Sequence, residues 1–543
     1  MRTGYPSNFR VAALDIACLI LFTEEKETVS ELDVEVPPEW ATVISVNSPH
    51  RTPDPSSPAS LSRRLFLSGS ASALAAGALT PAFLRKSGAP AAATAARATL
   101  TAETAPSAAA YAEALAALGR TTLRAPGSRP FPSLAAGTDT LPGIEHIVVL
   151  MMENHSFDNI LGMLGRGDGF TLGPDGLPTA TNPYANGDVQ HAFHMPTTCQ
   201  NSTVTQEWSS SHIQYDNGKL DGFVITSQAE SMGYWTGADL PFTYSLANAF
   251  PVGDRWFCSV LGQTDPNRRY LIASTSAGMT DDGGVSIINL AEPAPRGTIF
   301  NLLDAHGISW ENYVSSYPTG ATPELYAVND VITEALHHKA LSSFFTDAAA
   351  GSLPAFSLLD PDYTTQSQED PQNIVVGEAL IAQVVSALGA SPRWRSTLLI
   401  LIYDEHGGYY DHVPPPAAIP PDSIGPLVQP GDSTYDGFAR YGFRVPSVIV
   451  SPYAKPGYVT SVVHDHASVL ATVERKWNLP ALTYRDANAN DVTDFLDLSA
   501  LAAGTPTFPA LPALAAPGDT AAALACSTSG PGVIPPPGSV TSG

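Results

Sequence analysis

Three short stretches of this sequence gather residue types that can do chemistry on an anionic substrate. The first, Met151-Met152-Glu153-Asn154-His155-Ser156-Phe157-Asp158-Asn159, sets a carboxylate beside an amide directly after an apolar run. Oxygen donors of this kind suit a hard or borderline divalent cation. Ser156 or Asn154 would equally serve to cap a strand-to-helix turn. The second, Thr264-Asp265-Pro266-Asn267-Arg268, opens an apolar stretch beginning Arg269-Tyr270-Leu271-Ile272. Proline near the first turn with threonine before it predicts a hydroxyl at a helix N-terminus, where free N–H groups and the helix dipole favour an anion. The same pattern also describes an ordinary threonine N-cap. The third, Tyr403-Asp404-Glu405-His406-Gly407-Gly408-Tyr409-Tyr410-Asp411-His412, sets two acids against a Gly-Gly turn. Their repulsion calls for a cation or for donors; the alternative is a solvated acidic loop.

Such side chains need rigid elements to hold them. Ile144 to Met152 is a continuous apolar run, as a strand buried on both faces requires, and Thr397 to Tyr403 and Val445 to Val450 read the same way. Trp256 to Leu261 is strand-like and leads into the threonine segment. Helical patterns such as Val376 to Leu388 and Ala467 to Trp477 alternate with these runs. The fold class that follows is α/β, a doubly wound, mostly parallel sheet with helices on both faces. Ligands of such sheets bind at the carboxyl ends of the strands, which is where the polar clusters fall.

Composition narrows the partners. A formal net charge of -25 repels nucleic acid and anionic surfaces, so no nucleic-acid partner is expected. A phosphate ester remains an admissible substrate, because a bound cation can outweigh the background field. The 43 glycines and 48 prolines predict many loops rather than long bundled helices. Cys18, Cys199, Cys258 and Cys526 form no CxxC pair, which argues against a zinc ribbon or a thioredoxin-like site. A Cys199–Cys258 bridge and buried free thiols both stay open, with Cys526 in a weakly ordered tail.

Ser62-Arg63-Arg64-Leu65-Phe66-Leu67, followed by an Ala/Gly-rich apolar stretch from Ser68 to Leu84, reads as a twin-arginine signal, assigned to residues 61–96. Secretion, or delivery to the periplasm or cell envelope by the twin-arginine machinery, is the expected localisation. Residues 1–60 are longer than a usual n-region and are either a translated extension or lie upstream of the true start codon. Residues 97–137 read as an Ala/Thr/Pro-rich linker with one helix near Ala108 to Leu118, 138–500 as the folded domain, and 501–543 as a loose Pro/Ala/Gly-rich tail.

Taken together, Ile144 to Gly162, Ser259 to Arg268 and Tyr403 to Pro416 resemble the three signature segments of the phosphoesterase family that contains bacterial non-haemolytic phospholipases C and related acid phosphatases, in the alkaline phosphatase superfamily. Asp221-Gly222-Phe223, Gly351-Ser352-Leu353-Pro354 and Asp465-His466-Ala467-Ser468 extend the resemblance over nearly all of Thr138 to Leu479. It implies an alkaline phosphatase-like fold, metal ligands at Glu153, Asn154, Asp404 and Glu405, and a nucleophile at Thr264. Asn154 would also hold phosphate oxygens. His212 matches a family active-site histidine, and His306 is a further candidate. The metal would be divalent, with calcium, magnesium, manganese, iron and zinc all permitted by oxygen ligands. The family's usual His-Pro-Pro is replaced by Gln368-Glu369-Asp370-Pro371-Gln372-Asn373, which removes one expected histidine and leaves Glu369 nearest.

The function implied is a phospholipase C cleaving phospholipid phosphodiesters through a phosphothreonine intermediate, with transient contact to a membrane surface. An acid phosphatase-type phosphomonoesterase acting on small molecules is the alternative, and a catalytically inactive binding protein on the same fold is the remaining class. Tyr234 and Trp235 would form an aromatic cage for a cationic head group, or pack into the core.

Overall fold

The computed structural model describes residues 108–200, 204–282, 294–315, 322, 336–363, 365–428, 431–520 and 526. The twin-arginine motif, the extension 1–60, the signal 61–96 and the first part of the linker lie outside the described residues. Among the described residues, no helix is long and apolar enough to cross a membrane.

Eight strands build the central sheet: β1 His146–Met152, β2 Val252–Gly253, β3 Trp310–Val314, β4 His338–Ala340, β5 Phe356–Asp360, β6 Thr397–Tyr403, β7 Ser447–Val450 and β8 Val459–Thr460. Their order is β8-β2-β7-β6-β1-β5-β3-β4. Pairings are parallel except on either side of β7, which runs against β6 and β2. Every residue of β1 and β6 is buried, which is why the sequence shows unbroken apolar runs there rather than alternation. Each large apolar side chain so buried contributes about 1.5–3 kcal/mol. Helices pack around the sheet in two groups. Pro241–Ala249, Leu341–Ala350 and Ile374–Ala390 form one; Thr264–Ala273, Ile299–Ala305, Ala467–Trp477 and Tyr484–Asn488 form the other. The architecture is therefore the mostly parallel α/β sheet that the alternating patterns predict.

Trp256 to Leu261 departs from expectation. It makes single bridges, Trp256 with His464 and Phe257 with Arg444, but no strand. Cys258 N donates to Phe443 O at 2.9 Å, but the next two N–H groups are taken by a side chain: Asn267 Oδ1 accepts from Ser259 N at 2.9 Å and from Val260 N at 3.1 Å. A backbone satisfied in that way has no ladder to extend.

The linker helix appears at Ala108–Ala117 and packs Ala114 and Leu115 against Phe257, Val413 and Ile419. The chain beyond residue 501 is not loose over its described part. Phe508, Leu511 and Leu514 pack against the main core, Phe508 N donates to Pro452 O at 2.8 Å, and Trp394 Nε1 donates to Phe508 O at 3.0 Å. The cysteine expectation is also corrected: Cys199 pairs with Cys526, and Cys258 is buried as a free thiol. The packed tail is what carries Cys526 back to the domain.

Candidate active site

The site is created by strand register. In the parallel pair β1–β6, Met152 lies opposite Tyr403, so the residues that follow, Glu153-Asn154 and Asp404-Glu405, leave the sheet side by side at its carboxyl end. Asp404 N donates to Met152 O at 3.1 Å, which continues the pairing one step beyond the strands. The two loops touch because Gly407 has no side chain: a Cβ there would sit 2.0 Å from Asn154 O. Asn154 itself is left-handed, with φ 65°, a conformation asparagine tolerates better than most residues. Asp404 Oδ1 accepts from Asn154 N at 3.0 Å and Glu405 N at 2.7 Å, while Glu405 Oε2 accepts from Gly407 N at 2.7 Å.

Thr264 is the first residue of the helix Thr264–Ala273, whose N-cap is Gln263 without a capping side chain. The threonine hydroxyl is therefore not spent on the N-cap role that its sequence pattern also allowed. It donates to Asn154 Oδ1 at 3.4 Å. Turned the other way, the Asn154 amide nitrogen would donate to Glu405 Oε1 at 2.7 Å and to Asp404 Oδ1 at 3.3 Å. With its oxygen in that place, an amide oxygen meets two carboxylates with no donor between them. Asp404 Oδ2, fully buried, accepts no hydrogen bond, although Arg268 Nε lies 3.4 Å away as an ion-pair partner. Converging oxygens with a carboxylate atom that accepts no hydrogen bond are a donor set that fits a hard divalent cation, held by Asn154, Asp404 and Glu405 with Glu153 alongside.

Arg268, one helical turn after Thr264 and so on the same face, is the centre of the charge arrangement. It reaches three neighbouring strand ends: Glu153 Oε1 after β1 at 3.2 Å, Asp360 Oδ1 at the end of β5 at 3.4 Å, and Asp404 Oδ2 after β6 at 3.4 Å. Tyr363 lies under the guanidinium, 4.9 Å from its ring centroid. Burial opposes the charge on Arg268, and Tyr363, Asp404, Glu153 and Asp360 more than offset it, so the pKa is raised. Burial and then the charge of Glu369 push Glu153 well above the carboxylate range. Burial and then Asp404 do the same to Glu405, and burial raises Asp404. Asp360 is fixed by Thr322 Oγ1 at 2.6 Å and Asn312 Nδ2 at 2.9 Å. The sequence reading gave no role to Arg268 or Asp360. The i, i+4 spacing from Thr264 was the available signal for Arg268; nothing local marked Asp360.

The expected histidines fare differently. His306 caps the carboxyl end of Ile299–Ala305 and precedes β3, at the amino end of the sheet. The site lies at the other end, a strand length of about 3.3 Å per residue away. His306 is corrected from a catalytic candidate to a residue of the opposite edge. His212 sits on Trp208–Tyr215, with Nδ1 2.7 Å from Trp208 O and its ring stacked on Tyr435 at 4.0 Å. Among the described residues it makes no hydrogen bond to Thr264 or the acidic cluster. Burial lowers its pKa to about 4. His466 instead reaches the site, its Nε2 2.6 Å from Asp404 O. Tyr234 and Trp235 are 2% and 0% exposed and belong to the core, so they form no head-group cage.

A second cluster of titratable groups, Asp158, Asp411 and His412, is close enough together to hold a metal ion. Arg444 already joins Asp158 Oδ1 at 3.1 Å and Asp411 Oδ1 at 2.8 Å, and His412 Nδ1 lies 2.6 Å from Asp158 Oδ2. Burial alone would lower the His412 pKa; the hydrogen bond and charge of Asp158, aided by Asp411, push it up to about 9. A folded pKa above the unfolded value near 6.5 stabilises fully below about pH 6.5 and is lost as pH rises through about 9. Allowing for solvent screening, wild type should lose about 2 kcal/mol between pH 7 and pH 10 that His412→Gln does not lose. Urea unfolding of both proteins at the two pH values measures it, and equal losses would show that His412 is no such latch.

Comparison with known proteins agrees with the geometry. Residues 144–480 match the Phosphoesterase family. The protein named non-specific phospholipase C1 of Arabidopsis thaliana is 31% identical over 386 residues, covering 63% of this chain and 69% of its own length. Phospholipase C A of Mycobacterium tuberculosis is 30% identical over 423 residues, covering 67% and 80%. Non-hemolytic phospholipase C of Pseudomonas aeruginosa is 29% identical over 395 residues, covering 65% and 57%. A solved structure of an alkaline phosphatase superfamily protein from Vibrio parahaemolyticus overlays with a TM-score of 0.32 at 9% identity, covering 73% and 76%, a likeness too slight to add to what the sheet itself shows. The matched stretch contains Glu153, Asn154, Thr264, Asp404 and Glu405, the residues that the register of β1 and β6 and the Thr264 helix gather at one end of the sheet, and with that agreement the chain belongs to the phosphoesterase family, as a hydrolase of phosphoric ester bonds.

Proposed function

We propose that the protein is an exported, metal-dependent phospholipase C that works through a phosphothreonine intermediate. The observation that carries this reading is the Thr264 hydroxyl, partly exposed at the first residue of its helix, free of capping duty and directed at Asn154 beside Asp404 and Glu405. The names of the relatives support phospholipid diesters as the substrate class.

Thr264 Oγ attacks phosphorus in line, the bond to the diacylglycerol oxygen breaks, and that oxygen leaves as an alcohol after taking up a proton. Water then cleaves the phosphothreonine, restoring the hydroxyl and releasing the phosphorylated head group. Asn154 and the N–H groups opening the Thr264 helix hold the phosphoryl oxygens. Arg268 keeps Glu153 and Asp404 in place and balances part of their charge. A divalent cation bound by Asn154, Asp404 and Glu405 would supply Lewis acidity and lower the pKa of the attacking hydroxyl.

One experiment tests substrate and export together. Culture medium and cell fractions from strains expressing wild type or the Arg63→Lys, Arg64→Lys variant are assayed for phosphocholine and inorganic phosphate released from phosphatidylcholine vesicles and p-nitrophenyl phosphate. Wild type should release phosphocholine in the exported fraction, and the variant should retain that activity inside the cell. Phosphate release from the monoester without phosphocholine makes the protein a phosphomonoesterase; normal export of the variant removes the twin-arginine route.

A further inference from the structure

The C-terminal segment runs back along the helix Ile374–Ala390 from its carboxyl end to its amino end. Leu511 is packed so closely on Gly389 that a Cβ there would come within 2.7 Å of it. At the other end Gly518 lies against Val375, and its N–H donates to Glu378 Oε2 at 2.8 Å, while Glu378 Oε1 accepts from Thr243 N at 2.8 Å. Cys526 then closes the strap by its disulfide to Cys199.

Cys199 sits beside the start of that same helix. It bridges Asn373, the helix N-cap, and Thr198 O accepts from Ile374 N at 3.0 Å. The next residue, Gln200, is fully buried. Its Nε2 donates to Gln368 O at 2.7 Å and Gln372 O at 3.3 Å, and its Oε1 accepts from Tyr409 OH at 2.8 Å. The loop that Gln200 grips is the wall of the active site. Ser367 O accepts from Glu153 N at 2.9 Å, Gln368 O lies 3.1 Å from His155 Nε2, and Gln368 Oε1 accepts from Tyr403 OH at 2.5 Å. Direct contacts therefore lead from the disulfide through Gln200 and the 367–373 loop to the backbone of Glu153 and to Tyr403, the neighbour of Asp404.

We propose that the Cys199–Cys526 disulfide is a redox-operated lock on this strap: closed, it holds the loop against Glu153 and the site is competent; opened, loop and strap loosen and hydrolysis slows. The inference rests on reading Glu153, Asn154, Thr264, Asp404 and Glu405 as the phosphoester site. In the opening step a dithiol reductant supplies two electrons and two protons. The S–S bond breaks, Cys199 and Cys526 become thiols, and the reductant becomes a disulfide. Exchange with an oxidised disulfide reverses it. In a reducing cytosol the protein is in the slow form, and in an oxidising compartment it is in the fast one. The strap keeps its packing at Phe508 and Leu511 in either state, so opening the lock changes the site without unfolding the domain.

The test uses the full-length protein and a chromogenic phosphodiester, well below the thermal midpoint. Dithiothreitol should lower kcat/KM about tenfold, with alkylation of the Cys199 and Cys526 peptides confirming reduction, and oxidised glutathione should restore it. Cys526→Ser should be slow under all conditions. Gln200→Ala should be slow with the disulfide intact, and the double variant should be no slower than either single one, the coupling expected if both act through one loop. Full kcat/KM in the verified reduced protein overturns the lock, as does a Gln200→Ala variant as fast as wild type. Absence of phosphoester hydrolysis in both redox states would instead overturn the reading of the site.

Discussion

Thr264→Ala is expected to lower turnover by roughly four orders of magnitude while the domain stays folded, the size of loss seen when an attacking group is deleted and only binding and electrostatic contributions remain. The structure makes the stability side of this expectation specific. Gln263, not Thr264, holds the N-cap position, so alanine forfeits none of the ~1 kcal/mol that a capping threonine contributes and gains slightly from its better helix propensity. The hydroxyl's long 3.4 Å bond to Asn154 Oδ1 is lost, and the Asn154 amide can turn so that its nitrogen donates to Glu405 Oε1 and Asp404 Oδ1. Thr264→Ser keeps the oxygen and should retain substantial activity. Acid-quenched wild type should yield a phosphothreonine peptide containing residue 264, and the alanine variant none. Normal turnover by Thr264→Ala, whatever its thermal midpoint, would remove the covalent mechanism.

The second large effect is at Asp404. Asp404→Asn preserves the shape and one oxygen for the N–H groups of Asn154 and Glu405, yet it removes the charge and the Oδ2 that a cation would take and that Arg268 approaches at 3.4 Å. Bound metal should fall well below the wild-type stoichiometry and turnover by about a thousandfold or more, with partial recovery at high metal concentration. Glu153→Gln should act in the same direction with a smaller cost to fold stability, because Arg268 loses its 3.2 Å ionic partner but keeps Asp360 and Asp404. Elemental analysis of the purified variants beside their rates decides the matter: unchanged metal content and rate in Asp404→Asn would take this carboxylate out of the site.

What was legible in the sequence follows from locality. β1 and β6 could be read because a strand buried on both faces must be apolar at every position, and the abrupt change to Glu153-Asn154 or Asp404-Glu405 marks where it leaves the sheet. Those two clusters and Thr264 do converge. The segment Trp256 to Leu261 misled because its apolar pattern suits a strand, while the Asn267 side chain takes the N–H groups of Ser259 and Val260 that would extend a ladder. The disulfide partner was unreadable, since Cys199 and Cys526 are 327 residues apart and brought together by a tail whose composition suggests no packing. His306 was misplaced because Trp310–Val314 was not read as a strand: a residue that precedes a parallel strand lies at the amino end of the sheet, away from the site. Arg268 was visible, but its role depends on three strand ends that only the sheet order makes neighbours.

The facing of Met152 and Tyr403 also bears on which parts of this chain can change length. Side chains in a sheet alternate in direction, so one residue inserted or deleted within β1 or β6 turns every later side chain to the other face and shifts the emerging loop by a residue. Glu153 would then no longer stand beside Asp404, and Arg268 could not reach both. Between these strands, the loops outside β2 to β5 carry no such constraint except where they position Thr264, Arg268 and Asp360. Insertions should accumulate between the strands and be absent from within them, so the two seven-residue strands behave as a single unit of fixed length although they are remote in sequence.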